Sequence, residues 1–500
     1  MKTNSDVLLI YPIWPSMAGK GKLQRMLPPL GILSIASYIE SHAFKVSILD
    51  LHTSQLTPEE TKKYLKELDP KYIGITVLSS HLKIVCHLAQ IIRDTLPSCK
   101  IILGGVHAEL YPEYFLQNGI ADAVCVGDGE ETFLEYIQNK PLSSIKGLCF
   151  LEGSTFVKND PRQTEMQLDK YPFPAYHLID MNKYFPAFGT YRRLPAINLL
   201  MTRGCPGKCN FCNSANTVLR GRSPEKMVEL IKILRYQYNI LQFTFYDDTF
   251  TAHRKNLIQF CRLMIDQKVD ASWVCYARGD MFDEEIASLI SQAGCHHILL
   301  GIETGSEKLM ADIGKKINKE IYHRVVKTAH KYNIEVRGAF IIGHLNETKE
   351  TLKETLQFAI DLDLDFFQPS VLTPYPGTEL YQQAKEENLL IHENLELYGQ
   401  NEVVLKMKHL APKDIKRFLQ FSFYRFYLRP RNIFKQIKRI RSLRHVQDLI
   451  QATYIVIFNK LTQVDDNKLK VWLNYQIPYP DIQDSVVPIT YKVRREWLKQ

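Results

Sequence analysis

A chain of 500 residues with 45% hydrophobic and 23% charged content has the composition of a globular protein of two to four domains. Its ten cysteines are ordinary usage for a reduced intracellular protein, and its net charge of +9 gathers in the C-terminal fifth. No window of about 20 apolar residues could span a bilayer, and Val7–Tyr11 is strand-length rather than a signal-peptide core, so the expected location is the cytoplasm.

Apolar runs of strand length come first at Val7–Tyr11, Lys45–Leu49, Tyr72–Val77, Lys100–Leu103 and Ala123–Val126. Between them Leu30–Ser41, Pro58–Leu68, Leu82–Leu96 and Pro112–Gln117 carry helical periodicity, with Thr57 as a candidate N-cap. This alternation predicts a doubly wound, Rossmann-like α/β domain over residues 1–140, its ligand lying beyond the strand C-termini. Thr76 and Ser79, Gly104-Gly105-Val-His107 and Gly127-Asp-Gly129-Glu130 fall at those ends. Residues 141–190, interrupted by Pro161, Pro172 and Pro174, read as a connector.

Over 191–400 the alternation resumes with more room per unit. Strands are expected at Ala196–Met201, Gln242–Tyr246, Ser272–Tyr276, His297–Ile302, Ile334–Ile342 and Phe366–Leu372. Six such βα units predict an open, partial (β/α)6 barrel of the TIM type with chemistry at the strand C-termini. Residues 401–500 read as basic and mainly helical. There Lys413, Lys416, Arg417, Arg425, Arg429, Lys438 and Arg444 interleave with Phe418, Phe421, Phe426 and Phe434. Three readings stand, in descending order: a solvated helical face packed on the catalytic domain, a peripheral membrane contact, and a nucleic-acid surface.

The first barrel strand leads into Cys205-Pro-Gly-Lys-Cys209-Asn-Phe-Cys212. Three thiolates on one loop can converge on a soft metal centre, and iron–sulfur clusters are the usual occupants. A 4Fe-4S cluster wants four thiolates, so one iron would stay open to a small molecule. A zinc site needs a fourth ligand nearby, and no second Cys-x-x-Cys or His pair follows. The other seven cysteines sit in apolar segments and read as small core residues.

The Cys-x-x-x-Cys-x-x-Cys spacing on such a barrel resembles that of the radical S-adenosylmethionine (SAM) superfamily. Tyr246-Asp247-Asp248-Thr249-Phe250, Gly301-Ile-Glu303-Thr-Gly-Ser306, Gly338-Ala-Phe-Ile-Ile-Gly343 and Thr373-Pro-Tyr-Pro-Gly-Thr378 extend the likeness along the later strand ends. The resemblance implies a 4Fe-4S cluster on Cys205, Cys209 and Cys212. It also implies SAM contacts from Asp247, Asp248, Arg278, Glu303, Ser306 and Gly338. The N-terminal domain resembles the cobalamin-binding domain of one branch of that superfamily, through Leu103-Gly-Gly-Val-His107 and Val126-Gly-Asp-Gly-Glu-Glu131. Cobalamin contacts are then implied for Thr76, Ser79, Gly104, Gly105, His107, Gly127 and Glu130. The Asp-x-His-x-x-Gly motif of other cobalamin proteins is missing after the first strand: Asp50-Leu-His52 follows the second and lacks the glycine.

As function, the resemblance implies SAM cleavage to a 5′-deoxyadenosyl radical and cobalamin-dependent methyl transfer to an inert carbon or phosphorus centre. The substrate would be a small or lipid-like molecule, and the electron would come from an external flavodoxin- or ferredoxin-type reductant. The alternative is non-methylating radical chemistry, such as cyclisation, rearrangement or lipid tailoring. RNA methylthiolation ranks below both, because it needs a second cysteine triad and Cys86, Cys99 and Cys125 are too scattered to form one.

Overall fold

Short apolar runs buried on both faces form the parallel strands β1 (Val7–Tyr11), β2 (Val46–Asp50), β3 (Tyr72–Thr76), β4 (Lys100–Gly104) and β5 (Ala123–Cys125). In this computed structural model the described residues are 5–13, 26–187, 189–315, 318–399, 402–443, 445–447, 449–450 and 472. Arg444 and all of 451–500 except Trp472, part of the stretch read as basic and mainly helical, lie outside them. The hairpin β6 (Leu148–Glu152) and β7 (Thr155–Lys158) joins the sheet antiparallel, giving the order β2-β1-β3-β4-β5-β6-β7. The connector reading of 141–190 therefore missed two strands. β7 is short and half exposed at the sheet edge, so its alternation is too brief to register beside the prolines that follow. The order reverses between β1 and β3, and that switch point is where doubly wound sheets hold ligands.

The second unit opens with β8 (Ala196–Leu199) and a small hairpin, β9 (Thr202–Arg203) with β10 (Arg220–Gly221), which brackets the cysteine loop. Then follow β11 (Gln242–Phe245), β12 (Ser272–Ala277), β13 (Cys295–Glu303), β14 (Glu335–Ile342) and β15 (Phe366–Val371). β8 and β11–β15 form one parallel sheet in chain order, open between β8 and β15, as expected for a partial barrel. Ser223, Asp283, Asn318 and Thr348 cap the coating helices by accepting from their first-turn N–H groups. Beneath those helices Phe245 and Phe260 meet Trp273 edge-on at 5.5 and 5.8 Å, and the indole N–H donates to the Ala293 carbonyl at 2.7 Å.

The helix Pro412–Tyr427 closes the edge of β15. Its inner face packs Ile415, Phe418, Ser422 and Phe426 against the barrel. The Tyr427 hydroxyl accepts from the Phe367 N–H (3.0 Å) and donates to the Phe367 carbonyl (2.9 Å), satisfying groups that a free edge would expose.

Both units point their strand C-termini at each other. Asn198 donates to the Pro28 carbonyl at 2.9 Å, the Tyr176 hydroxyl to the Asn198 carbonyl at 2.8 Å, and the Tyr184 hydroxyl to Asp50 at 2.7 Å. Trp472 returns to the N-terminal unit, fully buried, with its indole N–H on the Leu56 carbonyl at 3.0 Å. Among the described residues no helix is long and apolar enough to cross a membrane.

Tyr427→Phe keeps the ring but strips both hydrogen bonds from the edge peptide. It should lower stability by about 1–2 kcal/mol in urea denaturation while leaving the helical circular dichroism intact.

Candidate active site

The cysteine loop begins at a glycine that nothing else can replace. Gly204 has φ of +94°, and a Cβ there would lie 2.1 Å from the Val218 carbonyl oxygen, preventing β9 and β10 from closing. The loop then ties to itself. The Cys205 N–H donates to the Thr217 hydroxyl (2.9 Å), the Thr217 N–H to the Cys205 carbonyl (3.0 Å), and the Cys212 N–H to the Cys209 carbonyl (3.2 Å). Beneath it the Asp247 carboxylate accepts from the Met201 N–H (3.2 Å), the Thr202 N–H and the Thr202 hydroxyl (2.6 Å). Burial pushes the Asp247 pKa up to about 7, against the pull of those hydrogen bonds.

Cys205, Cys209 and Cys212 are partly exposed, whereas the other seven cysteines are buried, as expected of core residues. Cys205 Sγ lies 3.2 Å from the Thr249 hydroxyl and accepts from the Gly207 N–H at 3.4 Å. Burial raises Cys212 to about 11 and raises Cys209 too, while Lys315 and Arg278 draw Cys209 the other way. Arg278 is gripped by Asp280 through Nε (3.1 Å) and Nη2 (3.0 Å), with Nη1 against Gly207. Lys315 is buried, with its ammonium 2.7 Å from both Glu303 Oε1 and the Gly301 carbonyl. Burial disfavours its charge, but the Glu303 carboxylate outweighs this and holds its pKa above the ordinary value. Glu303 stands at φ +69° on the bulged end of β13, a conformation costing about 1–3 kcal/mol for a side-chain-bearing residue.

Among the described residues no three His, Cys, Asp or Glu side chains converge on a single-ion geometry. A 4Fe-4S cluster presents its irons at separate corners and asks for thiols spaced around it rather than packed on one point. The donors on this loop are all soft, and two cations stand within electrostatic reach of Cys209. Thiols that burial keeps protonated ionise when a cationic metal centre binds them. The loop fits a cluster.

Around it the expected SAM residues divide. Asp248 is exposed at the barrel mouth within electrostatic reach of Cys212, and Glu303 and Arg278 stand near Cys209. Ser306 is the N-cap residue of the short helix Glu307–Asp312, its N–H on the Thr304 hydroxyl at 3.2 Å. Two of the expected residues are engaged elsewhere in the structure. The Asp247 carboxylate is engaged by Thr202 and Met201 beneath the loop. Gly338 points to the outer core, where a Cβ would meet Leu364 at 2.5 Å, and the strand alternation turns Arg337 and Ala339 inward instead. Sequence reasoning missed Lys315 and Thr249. Thr249 adjoins the Asp-Asp pair and could have been read; Lys315 comes from a loop whose approach only the tertiary fold creates.

On the facing unit a cavity of about 240 Å³ opens at the β1/β3 switch point. Thr76, Gly104, Gly105, Gly127 and Glu130 line it, and Leu200 and Arg203 of the barrel complete the rim. Gly105, at φ +91°, would place a Cβ 2.9 Å from the Thr76 hydroxyl. Glycine rims over apolar walls at Leu9, Ile102 and Phe133 suit a broad planar ligand, and a corrinoid is one.

Ser79 and His107, expected here, do not line the cavity. The Ser79 hydroxyl lies 3.1 Å from His107 Nδ1, and the imidazole packs against Tyr111 (4.7 Å) and edge-on to Phe115 (6.2 Å). Burial lowers the His107 pKa to about 3, so it is a neutral core residue. Glu130 lines the cavity with its carboxylate already bound: Arg203 pairs with it at 2.7 Å and with Asp128 at 3.2 Å, while Arg220 holds Asp128 from the other side. Burial opposes ionisation of Asp128, but the two guanidinium groups outweigh it and keep its carboxyl below the usual range. This four-charge clamp joins the two units.

Arg203→Met leaves Glu130, only 3% exposed, facing no counter-charge, and should cost about 3 kcal/mol in urea denaturation; adding Glu130→Gln should restore most of it. For Asp247 the folded pKa lies above the unfolded one. Its contribution to stability is therefore full below the ordinary value of 3.8 and is lost as pH rises through about 7. Asp247→Asn does not titrate, so its melting temperature should gain on wild type progressively between about pH 4 and pH 7 and hold that gain above it.

Residues 199–359 match the Radical SAM superfamily and residues 19–137 the B12 binding domain. An uncharacterized methyltransferase of Pyrococcus horikoshii is 35% identical over 440 residues, covering 86% of this chain and 94% of the relative. An anaerobic magnesium-protoporphyrin IX monomethyl ester cyclase of Rubrivivax gelatinosus is 26% identical, covering 76% of this chain and 70% of the relative. In fold, the chain resembles the cobalamin-dependent S-adenosylmethionine radical enzyme OxsB, solved with aqua-cobalamin and S-adenosylmethionine. The TM-score is 0.68 at 16% identity, over 99% of this chain and 84% of that one. With a cysteine loop on the first barrel strand and a glycine cradle facing it, this chain belongs to the radical SAM superfamily and carries an N-terminal B12-binding domain.

Proposed function

We propose that this radical SAM enzyme is a cobalamin-dependent methyltransferase acting on an unactivated carbon or phosphorus centre of a small or lipid-like substrate. The observation that carries the reading is the facing of cysteine loop and glycine cradle, pinned by Arg203 two residues before Cys205. When bound, a 4Fe-4S cluster supplies the electron that cleaves SAM to a 5′-deoxyadenosyl radical, and cobalamin supplies a transferable methyl group.

The chain's own residues contribute position, field and dryness. Cys205, Cys209 and Cys212 would hold the cluster, and Arg278 and Lys315 would offset its negative charge. Asp248, exposed near Cys212, would hold the methionine ammonium, and Glu303, fixed by Lys315, would meet a ribose hydroxyl. Tyr246 and Tyr276 meet at 5.9 Å on the inner strand ends, with Tyr11 of the other unit within electrostatic reach. These phenols would wall the space between the two sites once cofactors and substrate fill it, helping to keep water from a reactive radical. An external one-electron reductant of the flavodoxin or ferredoxin type is part of the proposal.

The methyltransferase name of the 35% identical relative supports methyl transfer. The cyclase relative, at 26%, keeps a second reading in view: radical cyclisation without methylation. The products separate the two. Reconstituted anaerobically with iron, sulfide, cobalamin and reductant, the enzyme should release both S-adenosylhomocysteine and 5′-deoxyadenosine from SAM. Release of 5′-deoxyadenosine and methionine alone would make the methyl reading wrong. Cys209→Ala should abolish both the cluster's visible absorbance and SAM cleavage, and cleavage that survives would overturn the site.

A further inference from the structure

The helix Pro430–Lys438 is amphipathic in the inverted sense. Its polar side faces the protein. Asn432 is buried and donates to the Phe426 carbonyl (3.0 Å), and Gln436 donates to the Asp365 carbonyl (3.2 Å). Lys435 pairs with Asp363 (3.0 Å) and Asp365 (3.2 Å), and Arg439, just past the helix, pairs with Glu335 at 2.7 Å. Its apolar side faces outward: Ile433, Phe434 and Ile437 are exposed, Phe434 by 57%, and Leu443 beyond them by 83%. Phe421 on the preceding helix and Leu428 just past its end are exposed too, seven residues apart, with exposed Arg425 between them. A helix that ends its contacts in water carries the opposite arrangement. Large apolar side chains exposed together on one helix face mark interaction surfaces.

Charge selects the occupant. Among the described residues Lys413, Arg417, Arg425, Lys438 and Arg441 are exposed and form no ion pair, and residues 406–443 contain a single acid, Asp414. The Lys438 ammonium sits 4.5 Å from the centre of the Phe434 ring, so cation and apolar group share one face. A second copy of this chain packed about a two-fold axis would bring these cations against each other. A bilayer of anionic lipid offers phosphates to the cations and acyl carbon to the isoleucines and phenylalanines.

We propose that this face docks the protein peripherally on an anionic membrane surface. The face lies at the N-terminal ends of the barrel strands, where Arg439 stacks on Phe366 at 3.8 Å, opposite the ends that carry the cysteine loop. Docking therefore leaves the chamber between the two units clear of the membrane and SAM cleavage unchanged.

The full chain is sedimented with phosphatidylcholine vesicles with and without phosphatidylglycerol. It should pellet with the anionic vesicles only, and less so as salt screens the contact. Ile433→Ser, Phe434→Ser and Ile437→Ser combined should weaken binding about tenfold or more. Lys438→Glu with Arg441→Glu, two exposed sites that form no ion pair among the described residues, should do the same. SAM cleavage and circular dichroism should match wild type in both variants. Wild-type protein that stays in the supernatant, or charge-reversed protein that pellets as before, would overturn the proposal. So would a dimer that Phe434→Ser converts to monomer, since a second copy would then cover the face.

Discussion

Two sheets must present their C-terminal edges to each other, and four charges hold them there. Arg203 and Arg220 lie on the hairpin that brackets the cysteine loop; Asp128 and Glu130 lie on the turn that rims the glycine cradle. Buried ion pairs return little net stability, because desolvation offsets most of the attraction. What they enforce is register. Arg203 is two residues from Cys205 and Asp128 is next to Gly127, so a slip in the clamp displaces both sites at once. Apolar packing alone would let the units slide.

A second constraint operates inside the barrel mouth. Burial raises the Cys209 and Cys212 thiols, and Cys209 faces Arg278 and Lys315, each locked by an acid, Asp280 and Glu303. Locked cations keep their direction when a ligand arrives, so the field at the loop is fixed before chemistry begins. The backbone strain at Glu303 belongs to the same arrangement: the bulge that bends β13 also turns the carboxylate toward Lys315. Asp247 works from below. It joins the end of β11 to the turn after β8, so the loop stands on a stitched floor rather than on a free strand end.

Most elements were legible because parallel strands buried on both faces are continuous apolar runs, and those runs set their own ends to within a residue or two. The β6–β7 hairpin escaped because an edge strand needs only a half-buried alternation, too short in β7 to stand out. At the site, the cysteines were legible because three thiols in eight residues have little other use. The surroundings of Asp247, Gly338 and His107 were not legible for one reason: motif position says which turn a residue occupies, not which way it points. At Gly338 the two-residue period of β14 decided it, turning the glycine out and Arg337 in. At His107 the depth of the core decided it, giving the imidazole Ser79, Tyr111 and Phe115 as company.

By itself the sequence determined the two α/β units, the strand ends and the cluster loop, because local hydrophobic rhythm and ligand spacing are encoded over a few neighbouring residues. The tertiary structure alone decided that the two strand-end faces oppose each other, that Lys315 reaches Glu303, and that Glu130 binds Arg203. Each of these joins residues from separate segments through charge and burial, and neither exists until the chain has folded.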